Sequence, residues 1–207
     1  MEDKKINIKD NKKIVLGIAG IIIIVIIIAF LKYLNNPVVK FKQNLDNVDV
    51  SKLQEIYSTT QSYDEKKKIE KIFQDKLKYL VESFVNGSKD YDNTIEEINR
   101  YSNIKEFENS IKSAKDDIEN VKSSKDSFVE GQKYEKDENI LEAIKSYSKV
   151  IELDKNNYKV AQDYIKNNKE NLKDKTLAEV DSLISNNDYV TANQKIKDLQ
   201  CSSFSLW

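Results

Sequence analysis

Residues 64–86 read DEKKKIEKIFQDKLKYLVESFVN. Apolar side chains fall at Ile69, Ile72, Phe73, Leu77, Leu80, Val81, Phe84 and Val85. Spacings of three and four put them on one broad face of an α-helix, with charged residues on the other. Asn86-Gly87 closes the segment, since both residues tolerate the left-handed conformation that ends many helices.

The same pattern extends in both directions. Ser51-x-x-Gln54, Ser62-x-x-Glu65, Asn103-x-x-Glu106 and Asn139-x-x-Glu142 each set a capping oxygen three residues before a group that can bond back. Asn36 is placed to cap a helix that starts on Pro37. Helices are expected over 38–46, 51–60, 64–86, 92–101, 104–136, 139–153, 157–186 and 188–200, and no run of β-branched alternation competes with them. The helix content this implies is about 60–70%, against roughly one-third in ordinary globular proteins. Within 104–128, Ile104, Phe107, Ile111, Ala114, Ile118 and Val121 form an a/d seam that Lys125 interrupts before Phe128. Such a seam either packs lengthwise on its own chain or forms an intermolecular coiled coil. The second case makes the protein a homo-oligomer in which Lys125 limits stability and helps set register.

Toward the N-terminus, residues 14–31 read IVLGIAGIIIIVIIIAFL, without a charge. Eighteen helical residues span roughly 27 Å, close to the roughly 30 Å of bilayer hydrocarbon. Tyr33 and Leu34 extend the segment to the interface. Phe30-Leu31-Lys32-Tyr33 is a poor signal-peptidase site, and no cysteine follows at once for lipidation. An uncleaved transmembrane helix over 14–34 is therefore expected, with the lipid bilayer as its partner. Lys4, Lys5, Lys9, Lys12 and Lys13 precede it, and Lys32, Lys40 and Lys42 follow. Five lysines against three favour a cell-membrane protein with a cytoplasmic N-terminus and an extracytoplasmic body. The organisation read from the chain is a cytoplasmic tail, 1–13; the membrane helix, 14–34; a region of helical hairpins, 35–126; hairpin repeats, 127–200; and an uncharged tail, 201–207.

Composition narrows function more than it names it. The chain has 207 residues, 34 basic and 35 acidic, for a formal net charge of −1. Neutrality, with Arg100 the single arginine, argues against nucleic acid as a partner. No histidine is present, which removes the commonest general base and zinc ligand. Cys201 stands alone, and four glycines leave little for phosphate loops. Neighbouring carboxylates such as Asp116-Asp117 and Glu96-Glu97 point about 100° apart on a helix and do not converge. The reading is a non-enzyme without cofactor or metal. Charge runs such as Glu65-Lys66-Lys67-Lys68 read as solvated faces.

A repeat is visible at a spacing of 49. Tyr91, Ile140 and Tyr189 begin short helices; Thr94, Ala143 and Ala192 follow, then Ile98, Tyr147 and Ile196, then Tyr101, Val150 and Leu199. Each short helix follows a longer one, giving long–short hairpins. Residues 127–160, SFVEGQKYEKDENILEAIKSYSKVIELDKNNYKV, are more specific. Gly131, Tyr134, Ala143 and Tyr147, with Leu153-Asp154-Lys155-Asn156-Asn157 behind them, resemble a tetratricopeptide repeat. Ser127 and Glu130 stand where that family prefers apolar residues, and Lys155 where it has proline.

The resemblance implies two antiparallel helices that nearly touch at Gly131 and Ala143, with aromatics filling the groove, inside an elongated all-α array of hairpins. It also implies a groove lined by the first helix, with Lys125, Phe128, Gln132 and Glu135 exposed to a protein or peptide and Phe128 as the apolar anchor. Phe128 lies on the a/d seam as well, where it would be core. The expected function is a membrane-tethered scaffold for protein–protein interaction. The alternatives are an anchor and stalk whose C-terminal domain is missing, and a self-associating structural protein. The tail CSSFSLW, 201–207, reads equally as a frayed end or as the mark of truncation.

Overall fold

The computed structural model describes residues 8–204, with side chains over 21–199. The N-terminal tail, 1–13, and the uncharged tail, 201–207, both lie outside the described side chains. Among the described residues the chain is 84% helix with no strand, more helical than its composition led us to expect. The elements are α1 (Ile8–Asn35), α2 (Pro37–Asp46), α3 (Val50–Thr59), α4 (Tyr63–Val85), α5 (Tyr91–Arg100), a 3-10 turn (Lys105–Phe107), α6 (Glu108–Lys136), α7 (Ile140–Tyr147), α8 (Lys155–Ser185) and α9 (Tyr189–Phe204). The short helices α5, α7 and α9 begin on Tyr91, Ile140 and Tyr189, the residues that open the 49-residue repeat.

Three chain reversals share one construction. After α2, α6 and α8 a single residue takes a left-handed conformation: Val48 (φ 55°), Glu138 (φ 56°) and Asn187 (φ 62°). The next amide reaches back five residues, from Asp49 to the Asn44 carbonyl, from Asn139 to Tyr134, and from Asp188 to Leu183, at 2.9–3.0 Å. A second bond, three residues back, joins the amides of Val48, Glu138 and Asn187 to the carbonyls of Leu45, Glu135 and Ile184. This pair of bonds satisfies the last carbonyls of the helix in the Schellman manner. The same Asp49, Asn139 and Asp188 then cap the next helix, accepting from the amides of Lys52, Glu142 and Thr191. One side chain thus ends one helix and starts another. The α4–α5 turn differs: Gly87 (φ 78°) supplies the left-handed residue, and Asp90 caps α5 through the Asn93 amide at 2.8 Å.

Of the four caps read from sequence, Ser62 and Asn139 accept the expected bonds, from Glu65 and Glu142. Ser51 does not cap α3, because Asp49 stands where the chain leaves the reversal. Asn103 caps nothing either, and 104–136 is not one helix. A 3-10 turn precedes α6, with no side-chain cap on Ile104. Side chains three apart eclipse in such a turn, and both Ile104 and Phe107 are buried. The helix expected over 139–153 stops at Tyr147, and the Ser124 hydroxyl accepts the freed Ile151 amide at 3.1 Å.

Two compact units divide the chain, 1–76 with 100–108, and 77–99 with 109–207. The first is built on aromatics. Phe73 stacks on Phe107 at 4.4 Å, and Phe41, Tyr57 and Tyr101 meet these two edge-on at 5.0–6.5 Å. Such contacts add about 0.5–1.5 kcal/mol each beyond burial. The Tyr57 hydroxyl donates to Glu70 at 2.6 Å, which pushes its pKa up to about 12.

The second unit buries Leu80, Ile98, Ile118, Val121, Ala143, Tyr147 and Ala161. Within it, Thr94, Ala143 and Ala192, the small slot of the repeat, are all at or below 4% exposed. The seam residues Ile104, Phe107, Ile111, Ala114, Ile118, Val121 and Phe128 are buried by their own chain, which leaves no free apolar stripe there for a coiled-coil partner.

A β-branched residue in the left-handed region is strained, whereas glycine is at ease there. Val48→Gly is therefore expected to raise the unfolding free energy by about 0.5–1 kcal/mol in urea titrations, and Asn187→Gly to change it by less.

Candidate functional site

Gly131 and Tyr147 approach closely in the second unit. A Cβ on Gly131 would lie 2.6 Å from Tyr147 Cδ1 and 2.7 Å from Cε1, so only glycine admits the ring. Tyr147 is 1% exposed and Ala143 fully buried, while Tyr134 packs partly buried against the same cluster. Phe128 lies 5.5 Å from the Tyr147 ring and Tyr164 of α8 lies 4.9 Å from it. The Tyr147 hydroxyl donates to Glu135 Oε2 at 2.6 Å. Burial, reinforced by that carboxylate, pushes the Tyr147 hydroxyl well above its ordinary pKa, so it stays neutral. The four residues chosen as repeat core therefore meet at one crossing of α6 and α7.

The four chosen as a partner-binding face do not present one. Phe128 is 9% exposed and belongs to the core, its ring packed 5.5 Å from that of Tyr147. Lys125 is turned to α4, donating to the Phe84 carbonyl at 3.0 Å with its ammonium 4.9 Å from the Phe84 ring. A cation there satisfies a last-turn carbonyl and complements the helix dipole. Glu135 is committed to Tyr147, and only Gln132 is open to solvent without such a tie.

Sequence reasoning missed a cleft of about 220 Å³ where the start of α7 meets α8 and α9. Ile140, Leu141, Leu172 and Leu199 supply its apolar lining. Glu138, Lys175, Asp198 and the Lys195–Glu179 ion pair supply its charged groups. The Lys195 ammonium, bonded to Glu179, holds that carboxyl below its ordinary pKa. The lining thus sets apolar side chains beside charges of both signs. No group of three His, Cys, Asp or Glu capable of holding a metal occurs among the described residues. The lining comes from stretches some 60 residues apart, and no local pattern marks it.

Family models, curated proteins and solved structures yield no match to the chain.

The other unusual surface is α1. Every large apolar side chain over 21–34 is exposed, Ile26 at 60% and Phe30 at 58%. From Ile21 onward, where side chains are described, no single helix is long and apolar enough to cross a membrane. The pair Ile21–Asn35 and Pro37–Asp46, bent by 55°, meets the length and composition together.

Gly131→Ala is expected to lower stability by about 1–3 kcal/mol. Most of that loss should vanish in a Tyr147→Ala background, as a double-mutant cycle would read. Alkaline titration tests the hydroxyl. A tyrosine raised in the fold contributes stability that is complete below its unfolded pKa and lost as pH rises toward the folded value. Unfolding free energy should therefore hold to about pH 10 and then fall by up to about 1.4 kcal/mol per pH unit through Tyr147. Tyr147→Phe should remove that share of the slope.

Proposed function

We propose that the chain is a single-pass membrane protein whose helical body is a non-catalytic scaffold for another protein or peptide. The observation that carries this reading is the uncovered apolar surface of α1. Large exposed apolar patches on proteins mark interaction with a membrane or a partner. This one surrounds its helix on all sides, as lipid requires and a one-sided protein interface does not. The backbone of α1 is helical from Ile8, so the uncharged run 14–31 lies within a single helix. The five lysines before it orient the N-terminus to the cytoplasm and the body outside.

The scaffold part rests on the second unit. Long–short hairpins reversed by a common turn are the unit of helical repeat proteins, which bind by shape along their surfaces. The Gly131–Tyr147 crossing supports a tetratricopeptide-like hairpin at the end of α6 and α7. Elsewhere the hairpins follow the 49-residue pitch, with first helices of 29 and 31 residues in α6 and α8. The partner site of this reading is the cleft of α7, α8 and α9, which replaces the face around Phe128.

Full-length protein should stay with membranes through alkaline carbonate extraction, and Ile24→Lys with Ile27→Lys should release it. Protease added outside intact cells should remove the body. Release of the wild type by carbonate would sink the anchor, and a protected body would reverse the orientation. A photo-crosslinker at Thr176, in the cleft, should give a discrete adduct that one at Gln132 does not.

A further inference from the structure

The run Lys66-Lys67-Lys68 has no special meaning in the sequence, but the fold brings it to the end of α1. Asn36, the residue between α1 and α2, donates through Nδ2 to Glu65 Oε1 at 3.2 Å. The same side chain caps α2 through the Val38 amide at 2.9 Å, so the elbow and the first turn of α4 are fastened by one residue. Lys40 follows one turn into α2, its amide bonded to the Asn36 carbonyl, and Lys32 closes the last turn of α1. The segments that meet at the elbow thereby carry five lysines, 32, 40, 66, 67 and 68, and three carboxylates, Asp64, Glu65 and Glu70, of which Glu65 is held by Asn36 and Glu70 by Tyr57. Lys66 lies over the ring of Tyr57, whose hydroxyl donates to Glu70, and Lys67 lies over that of Tyr63, at 5.1 and 5.2 Å. Tyr33 and Tyr63 are 60% and 69% exposed beside them.

We propose that this elbow, Lys32, Lys40 and the first turns of α4, is a binding surface for anionic lipid headgroups. The inference rests on the membrane reading of α1. If the helix spans the bilayer to Tyr33, the elbow sits at headgroup level, where tyrosines are at home and clustered lysines meet phosphate. A net excess of cations, fixed by Asn36 rather than spread on a mobile tail, selects lipids with a net negative charge over zwitterionic ones. The capping residue of α2 is then also the device that sets the body's first long helix against the membrane surface.

The test uses the full chain in phosphatidylcholine vesicles containing traces of spin-labelled phosphatidylglycerol or phosphatidylcholine. The readout is the ratio of association of the two probes with the protein boundary. The expected ratio at low salt is about five or more, the preference that one lysine in contact supplies. It should fall as salt screens the site. Lys40, Lys67 and Lys68 are exposed, so replacing all three with Gln should leave helical content intact and bring the ratio close to one. A wild-type ratio of one in protein that survives alkaline washing overturns this inference and leaves the anchor standing. An unchanged ratio in the triple variant overturns it as well. Loss of the preference to millimolar inorganic phosphate at matched ionic strength would make it a free-phosphate site instead. Protein that washes out of the vesicles overturns the anchor, and the headgroup surface with it.

Discussion

Each helix leaves its last carbonyls without partners inside the helix, and the way three of those ends are closed governs the whole body. At Val48, Glu138 and Asn187 one left-handed residue turns the chain, and the amide after it bonds five residues back. Because that next residue is Asp or Asn, its side chain immediately caps a new helix. There is no loop to be ordered, so little conformational entropy is lost in connecting the pair. The second helix is also obliged to run back along the first.

Tight reversal lets so charged a chain have a core at all. A third of its residues are Asp, Glu, Lys or Arg, and the apolar ones suffice for one face of each helix. Hairpins set these faces against each other with small residues at the crossings. Gly131 under the Tyr147 ring is the extreme case: the ring occupies the space a side chain would need. Two of the buried polar groups are tied together. Asp154 accepts from Ser124 at 3.2 Å and from Asn157 at 2.9 Å, while Ser124 holds the Ile151 amide. Against this economy the exposed isoleucines of α1 stand out as one continuous run, whereas exposed apolar residues elsewhere, such as Val129, Val160 and Val190, are scattered.

Most of the helices were legible because their signals are local. Periodicity and caps at Asn36, Ser62 and Asn139 gave boundaries within a few residues, and the starts of α5, α7 and α9 emerged from the repeat itself. The failures are those of competition between neighbours. Ser51 and Asp49 both offer a capping oxygen, and the reversal chooses Asp49. Asn103 offers one too, but burial of Ile104 and Phe107 wins and a 3-10 turn results. At the site, Gly131, Tyr134, Ala143 and Tyr147 were readable because their contact is within one hairpin. The solvent-facing role given to Phe128 and Lys125 was not, since each side chain's direction depends on a partner, Tyr147 or Phe84, that no spacing specifies. The cleft and the lysine elbow were invisible for the same reason, being made where separate helices meet, as Asn36 meets Glu65 and the start of α7 meets α8 and α9.

Amide hydrogen exchange of the full chain in lipid nanodiscs tests the central claim most directly, that a bilayer-covered helix carries a body of tightly reversed hairpins. The expected result is that amides over 14–34 exchange slowest of all. Those of Asp49, Asn139 and Asp188 should be protected well beyond what helix-flanking turns normally show. Rapid exchange across 14–34 in the presence of lipid would contradict the anchor, and unprotected amides at the three reversals would contradict the body.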